Sequence, residues 1–365
     1  MAAVAKNRSL EMVAKYSALA LQMDCPAVNY CSDRSAVEDI MASTITKVGK
    51  QIAGSKAFIN TFSGDVLKLV VLPEYFMTSF PMGESIESWR EKACIDMDGP
   101  QYEQLGEIAQ RLGVYLSGNV YERDPYFPDL YFQTSFIIDD TGSVALRYRR
   151  LVSMFAPTPH DVLSRYLDVY GADALFPVLD SPLGRLACVA SEEILYPEIT
   201  RAHVLKGAEV ILHSSSEVGS PRATPKNIAK CARAYENMCY VVSANTSAVL
   251  DSPVPANSTQ GHSQIVDFKG QVMCEAYAGE SMVANAPIDL ESLRTARTKP
   301  AMTNTLARQR LALFQDSYAM NGYYPADNLL ENGQVRTPDR AHFMGLQQGV
   351  IEGLLTAGVL KPPGS

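Results

Sequence analysis

The chain has 365 residues, 47% of them hydrophobic and 20% charged, with a formal net charge of -8. That balance suits one large soluble α/β domain with a terminal extension, and it offers no basic face to nucleic acid or to an anionic membrane. Seven cysteines, an odd number without a signal-peptide pattern, fit reduced thiols in the cytoplasm rather than a disulfide framework, and no apolar run approaches the roughly 18 residues that span a bilayer.

Strand and helix patterns alternate along the chain, as expected of helices packed on sheets. Tyr16 to Gln22 reads as a first strand, and a helix is expected from near Ser35 to Gly54. Leu67 to Leu72 is a continuous apolar run that reads as a central strand delivering Glu74 to its carboxyl end. Gly99-Pro100 opens a helix that closes at Gly113, and strands follow over Val114–Val120, Tyr131–Ile138 and Val144–Arg149, with Asp140-Thr-Gly142 as a turn. Leu186 to Ala190 reads as a buried strand, and Pro197 suits the first turn of a helix continuing to Gly207. Val210–His213 is a further strand. Thr224-Pro225 supplies a cap and first turn for a helix with Ile228, Cys231, Ala232 and Tyr235 on one face, followed by a strand over Cys239–Asn245. His262–Phe268 and Gln271–Ala276 form a hairpin about Lys269-Gly270. From about Arg294 onward the core pattern fades, so the expected organisation is a domain over 1–298 and an extension over 299–365 that packs on a neighbouring subunit.

The most telling position is Ser191, which stands at the corner between the Leu186–Ala190 strand and the helix begun by Pro197. Such corners expose a side chain at the carboxyl edge of a sheet, with the next backbone amides aimed at whatever it attacks. Cys188 lies three residues earlier in the strand and reads as core; Cys231 and Cys239 read as small buried hydrophobes. His203, His213, His262 and His342 have no ligand-like spacing, and neither a GxGxxG element nor a P-loop occurs, so no metal or nucleotide cofactor is expected.

Several separated segments, taken together, resemble the nitrilase, or carbon–nitrogen hydrolase, superfamily. Leu72-Pro73-Glu74 is similar to the segment carrying that family's catalytic glutamate, and Gly142 through Tyr148-Arg149-Arg150 to the one carrying its catalytic lysine. Ser191 to Arg201 is similar to its cysteine segment, with Glu193, Tyr196-Pro197-Glu198 and Arg201 at matching offsets. Gly207-Ala208-Glu209, Arg233 to Asn237, Asn245 and Gly261-His-Ser263 complete the likeness over roughly residues 14–298, nearest the aliphatic amidase and formamidase branch. The resemblance implies a four-layer αββα sandwich, a tendency to form homo-oligomers, and a Glu-Lys-Cys triad that cleaves a non-peptide C–N bond through a thioester.

This chain departs from that triad. The lysine position falls on Arg150, with Arg149 one residue away; Lys92 is the only lysine between Glu74 and Ser191, so no substitute lysine is expected near the site. The cysteine is Ser191. The second glutamate of amidase-branch members falls near Thr158, where His160 or Asp161 could approach the same space. A serine hydroxyl must lose its proton to a placed base during attack, whereas a cysteine attacks as thiolate, and arginine stays protonated and cannot shuttle protons. The expected catalytic set is therefore Glu74 as general base, Arg150 as oxyanion or carboxylate partner and Ser191 as nucleophile or substrate ligand, with Tyr75, His160, Glu192 and Ser215 lining a small-molecule pocket, while Glu193, Glu198 and Arg201 are expected to form structural ion pairs around the corner. Three readings stay open: a hydrolase of altered chemistry acting on a small amide, nitrile or related C–N compound; an inactive relative that binds a small anion or serves in assembly; and an amidase whose cysteine has been deliberately replaced by serine.

Overall fold

Two sheets face each other through a shared core. The computed structural model describes residues 15–219, 222–259, 261–319 and 323–364; residues 1–14 of the expected first domain and Ser365 of the extension lie outside them. The first sheet has seven strands and is ordered, from one edge, Asn285–Asp289, Lys15–Ala20, Leu67–Val71, Tyr115–Arg123, Tyr131–Ile138 and Val144–Arg149, with the short Ile95–Asp96 strand beside Tyr115–Arg123. Its three central strands from Lys15 to Arg123 run parallel and its flanking pairs antiparallel. The second sheet has six strands, ordered Val272–Glu275, Gln264–Val266, Tyr240–Asn245, Val210–Ser215, Gly184–Ala190 and Leu179–Ser181, again with a parallel centre.

Strand alternation decides which side chains meet between the sheets. Ala18, Ala20, Leu69, Val71, Ile137, Leu146 and Tyr148 of the first sheet pack with Leu186–Ala190, Val210–Leu212 and Val241–Val242 of the second in one buried cluster. The alternate residues of the first sheet, including Leu19, Leu67, Val70, Leu116, Phe136 and Ile138, turn outward onto the Arg34–Phe62 and Pro100–Leu112 helices. Pro197–Leu205 and Pro225–Asn237 cover the other sheet and contribute Ile199, Val204, Ala229 and Ala234 to the shared core. The result is a four-layer αββα sandwich.

Most element boundaries fall within a few residues of expectation, and the differences have local causes. The helix expected to end near Gly54 runs on to Phe62 because Gly54 is helical and meets no neighbouring side chain. The Pro100 helix ends at Leu112 with Gly113 in the left-handed conformation (φ 59°), as a glycine cap allows. In the Pro225–Asn237 helix the Ile228 and Tyr235 face points to solvent, with exposures of 60% and 49%, while Asn227, Lys230, Arg233 and Asn237 turn inward. The apolar periodicity therefore marks the outer face of this helix.

The segment after 298 is also more ordered than its sequence pattern indicates. It carries a helix over Arg340–Thr356 capped by Asp339, and it packs in part on its own chain. Leu329 joins Phe127, Leu130, Phe132, Val162 and Tyr166 in a separate buried cluster, and Phe343 is buried. None of the seven cysteines is paired, and no helix among the described residues is long and apolar enough to cross a membrane.

Candidate active site

The parallel centres of both sheets release their chains at the same end of the sandwich, where ligands bind in α/β folds. Glu74 follows the Leu67–Val71 strand, Arg150 follows Val144–Arg149, Ser191 follows Gly184–Ala190, and Ser215 ends Val210–Ser215. A cavity of about 630 Å³ opens there, lined by Glu74, Tyr75, Gln133, Arg150, Ser191 and Glu192, by Phe80 and Met154–Ala156 from loops, and by Pro338, Asp339, Arg340 and Phe343 from the carboxyl-terminal segment. That size suits a small organic substrate. A larger hollow of about 1070 Å³ around Arg90 and Asp96 holds none of the candidate catalytic residues.

Glu74 is 2% exposed and is held at one oxygen. Gln133 Nε2 donates to its Oε1 at 2.6 Å and Arg150 Nη1 donates to the same atom at 3.3 Å, while Arg150 Nη1 also donates to Gln133 Oε1 at 2.7 Å. The Arg150 Nε–H donates to the Val152 carbonyl at 2.7 Å, and Nη2 pairs with Glu192 Oε1. These contacts engage four of the five guanidinium N–H groups. Arg150 thus serves as a clamp between two carboxylates of the protein itself. Burial, the largest single effect, lowers its pKa, but the neighbouring charges led by Glu74 and Glu192 together outweigh it, and the net shift is upward.

Ser191 has φ +48°, a left-handed conformation that costs a non-glycine residue of order 1–3 kcal/mol. Tyr75, just after Glu74, is held similarly at +38°. The surroundings of Ser191 hold the bend in place. Its carbonyl accepts from His213 Nε2 at 2.8 Å, which fixes the tautomer: Nε2 carries the proton and Nδ1 accepts from the Ser243 hydroxyl at 2.8 Å. Burial depresses the His213 pKa well below its ordinary value, so the ring is neutral. Glu193 braces the corner from below, accepting from the amides of Ala190 (3.0 Å), Leu151 (2.6 Å) and Val152 (3.1 Å) and from the Tyr148 hydroxyl (2.8 Å). Burial pushes its carboxyl up to about 7 against the pull of Arg150 and these donors.

The side chain in contact with the Ser191 hydroxyl is one that sequence alone leaves out. Lys226 Nζ lies 3.1 Å from Ser191 Oγ and 3.4 Å from Ser215 Oγ. Far away in sequence, it reaches the corner because Thr224 caps its helix, donated to by the Asn227 amide, and Pro225 occupies the first turn. Burial lowers the Lys226 pKa against the opposing attraction of Glu74 and Glu217. One turn on, Lys230 is fully buried with Nζ donating to Asn227 Oδ1 at 2.8 Å, and burial brings its pKa down to about 8. The expectation that no lysine stands near the site is thus corrected: the lysine comes from a different element, after Ser191 in the chain. One signal was available. A lysine in the first turn of a helix sits at the positive end of the helix dipole, an unfavourable place that invites a reason.

The fold agrees with comparisons to known proteins. The carbon-nitrogen hydrolase family matches residues 20–298. This chain belongs to the carbon–nitrogen hydrolase family. It is 31% identical over 255 residues to the 2-oxoglutaramate amidase of Bacillus subtilis, covering 69% of this chain and 89% of that protein. It is 27% identical over 236 residues to the deaminated glutathione amidase of Yersinia enterocolitica, covering 64% and 79%. Among solved structures, the carbon-nitrogen hydrolase of Helicobacter pylori G27 superposes with a TM-score of 0.61 at 20% identity, covering 84% of this chain and 99% of that one. A branch 10 nitrilase-superfamily protein of Saccharomyces cerevisiae gives a TM-score of 0.60 at 20% identity, covering 81% and 97%, and supports the shared fold. The chain is thus an amidase-like hydrolase of this family.

Within this carbon–nitrogen hydrolase fold, Glu74, Tyr75, Arg150, Ser191 and Glu192 line one cavity. Ser215 is fully buried and meets Lys226 beneath it, and Ser214 donates to the Leu72 carbonyl instead of facing the pocket. Arg149 alternates to the other side of its strand, 2.5 Å from Asp124 and stacked on Tyr170 at 4.5 Å, so Arg150 is the arginine of the cavity. His160, expected in the pocket, lies against Tyr324 of the carboxyl-terminal segment and is not among the lining residues. Asp161 is occupied in capping Thr158 and accepting from Asn328. The ion pairs expected around the corner are also different. Glu193 accepts hydrogen bonds, Glu198 accepts from Tyr318, and Arg201 donates to the Glu236 carbonyl.

Proposed function

We propose that this hydrolase cleaves the C–N bond of a small amide with Ser191 as nucleophile. The observation that carries the proposal is the strained Ser191 corner opening into the same cavity as the buried Glu74–Arg150 pair. Ser191 Oγ attacks the acyl carbon, and an acyl-serine ester forms in place of the thioester used by a cysteine. Gln133 and Arg150 both donate to Glu74 Oε1, which leaves Oε2 without a protein donor among the described residues. That oxygen is suited to accept an N–H of the leaving amide nitrogen and to orient it. The relatives named as amidases of 2-oxoglutaramate and of deaminated glutathione support a small amide as substrate, and the cavity volume agrees.

The test is ammonia release from a panel of aliphatic amides, nitriles and dicarboxylic monoamides. Turnover of an amide should fall at least about 100-fold in Ser191→Ala and in Glu74→Gln. A panel that stays silent while the protein is folded would favour the ligand-binding reading instead.

We further propose that the protein self-associates through the helical layer over the second sheet. Leu205, Ile228 and Tyr235 stand 54%, 60% and 49% exposed on its outer face, an apolar surface that a second copy would cover. Ile228→Glu should shift the sedimentation coefficient toward that of one chain.

A further inference from the structure

We infer that Lys226 is the group that takes the proton from Ser191, so that the nucleophile works as a serine–lysine dyad. The inference rests on the reading of Ser191 as nucleophile and deepens it.

Geometry comes first. Lys226 Nζ is the side-chain nitrogen in contact with Ser191 Oγ, at 3.1 Å. The same contact serves either direction of proton flow: an ammonium donates to the hydroxyl, and a neutral amine accepts the hydroxyl proton. The other groups of the cavity are placed differently. Glu74 makes no hydrogen bond to Ser191 Oγ among the described residues, its Oε1 being engaged by Gln133 and Arg150; Arg150 cannot release a proton, and neutral His213 faces the Ser191 carbonyl rather than its hydroxyl.

The surroundings favour an amine over an ammonium. Lys226 is partly buried in the first turn of its helix, where the aligned peptide dipoles disfavour a cation. Buried Lys230, one turn further along, and Arg150 add like charge, while Glu74, Glu192 and Glu217 oppose them; His213, the other titratable group at the corner, is neutral. Burial is the largest of these effects, and the net result is a lysine that gives up its proton more readily than one in water.

The step balances without any further reagent. As the bond from Ser191 Oγ to the acyl carbon forms, the hydroxyl proton moves to the neutral Lys226 amine and the carbonyl π pair moves to oxygen. When that pair returns, the C–N bond breaks and the leaving nitrogen takes the proton from Lys226, releasing ammonia. Water then attacks the ester, gives its proton to Lys226, and Lys226 returns it to Ser191 Oγ as the acid departs.

The experiment measures covalent labelling of the full-length protein by a fluorophosphonate, which reports the nucleophilicity of Ser191 whether or not the amide substrate is known. The rate of adduct formation is read by intact-protein mass spectrometry from about pH 6 to about pH 10, with Ser191→Ala marking labelling elsewhere. The wild-type rate should climb with pH along a one-proton limb. Lys226→Met and Lys226→Arg should both lose the limb and at least about 100-fold in rate, because arginine restores the charge but cannot accept the proton. Lys206→Met, which removes an exposed lysine paired with Asp173, should match wild type. Thermal melting shows whether the Lys226 variants are folded. A Lys226→Arg rate within about threefold of wild type would overturn the inference and leave only a charge at this position, and so would a wild-type protein that takes no label at Ser191. Lys226-dependent labelling without turnover of any amide would leave the dyad standing and sink the amide reading alone.

Discussion

Arg150→Met is the substitution through which the buried charge network can be weighed. The Arg150 side chain is 10% exposed and that of Glu74 is 3% exposed, so removing the guanidinium leaves a carboxylate out of water with only Gln133 as donor. Breaking one side of such a pair costs about 3–5 kcal/mol, whereas removing both members is often close to neutral. Glu192 adds little to this sum, since its side chain is 33% exposed and water can replace Arg150. Arg150→Met should therefore lower unfolding free energy by about 3–5 kcal/mol, and Glu74→Gln on that background should recover at least about 2 kcal/mol of it, since glutamine keeps an acceptor for Gln133 without the charge. Urea midpoints of wild type, the two single variants and the double variant give the coupling directly. A loss below about 1 kcal/mol for Arg150→Met, or a double variant as unstable as the sum of the singles, would refute the clamp assigned to Arg150.

Three further outcomes follow from the same geometry. Glu193 in the folded protein has its pKa raised from 4.5 to about 7, so folding favours its protonated form; its contribution is fully present below about pH 4.5 and lost as pH rises to about 7, by no more than about 3 kcal/mol. Glu193→Gln should flatten the urea midpoint over that window relative to wild type, and an unchanged slope would contradict the assignment. Ser191→Cys would place a thiol beside Lys226, and iodoacetamide should alkylate it below the ordinary thiol range, near pH 8.5, with the gain lost in Ser191→Cys/Lys226→Met; the buried Cys188 thiol, raised to about 12 by burial, should not compete. Gly118→Ala should cost about 1–3 kcal/mol in the same denaturation assay, because a Cβ there would stand 2.9 Å from Phe136 and 3.1 Å from Phe76 in the filled core, and a neutral result would mean those rings give way freely.

Residues with local, repeating signals were legible in the sequence. The apolar runs at Leu67–Leu72 and Leu186–Ala190 have few alternatives to a buried strand, and both deliver the residue expected at their carboxyl ends. The Gly113 stop and the Thr224-Pro225 start were readable for the same reason, since each rests on one backbone conformation. What could not be read depends on tertiary contact. The inward face of the Pro225–Asn237 helix mixes small Ala229 and Ala234 with Asn227, Lys230, Arg233 and Asn237, so its bulkier apolar residues Ile228 and Tyr235 mark the solvent side. His160 was placed by its proximity in sequence to the missing glutamate, yet its loop turns toward Tyr324 from more than 150 residues away. Lys226 lies beyond the interval between Glu74 and Ser191 in sequence, and only the fold brings its helix to the corner.

The charges of the site explain why the lysine belongs on the helix. Glu74 and Glu192 are the cavity carboxylates that Arg150 meets. A thiolate at position 191 would add a further anion, and Lys226 would then be held protonated by direct charge pairing. Serine is uncharged before attack, so the atom in contact with Lys226 stabilises its cation only weakly, and of the carboxylates that attract it Glu74 and Glu192 are already paired with Arg150, which leaves Glu217. With the attraction diverted in this way, burial and the helix dipole are left to favour the neutral amine. Arginine at 150 and serine at 191 are then parts of one arrangement: the guanidinium absorbs the carboxylate charge permanently, and the lysine beside the hydroxyl is left able to accept a proton.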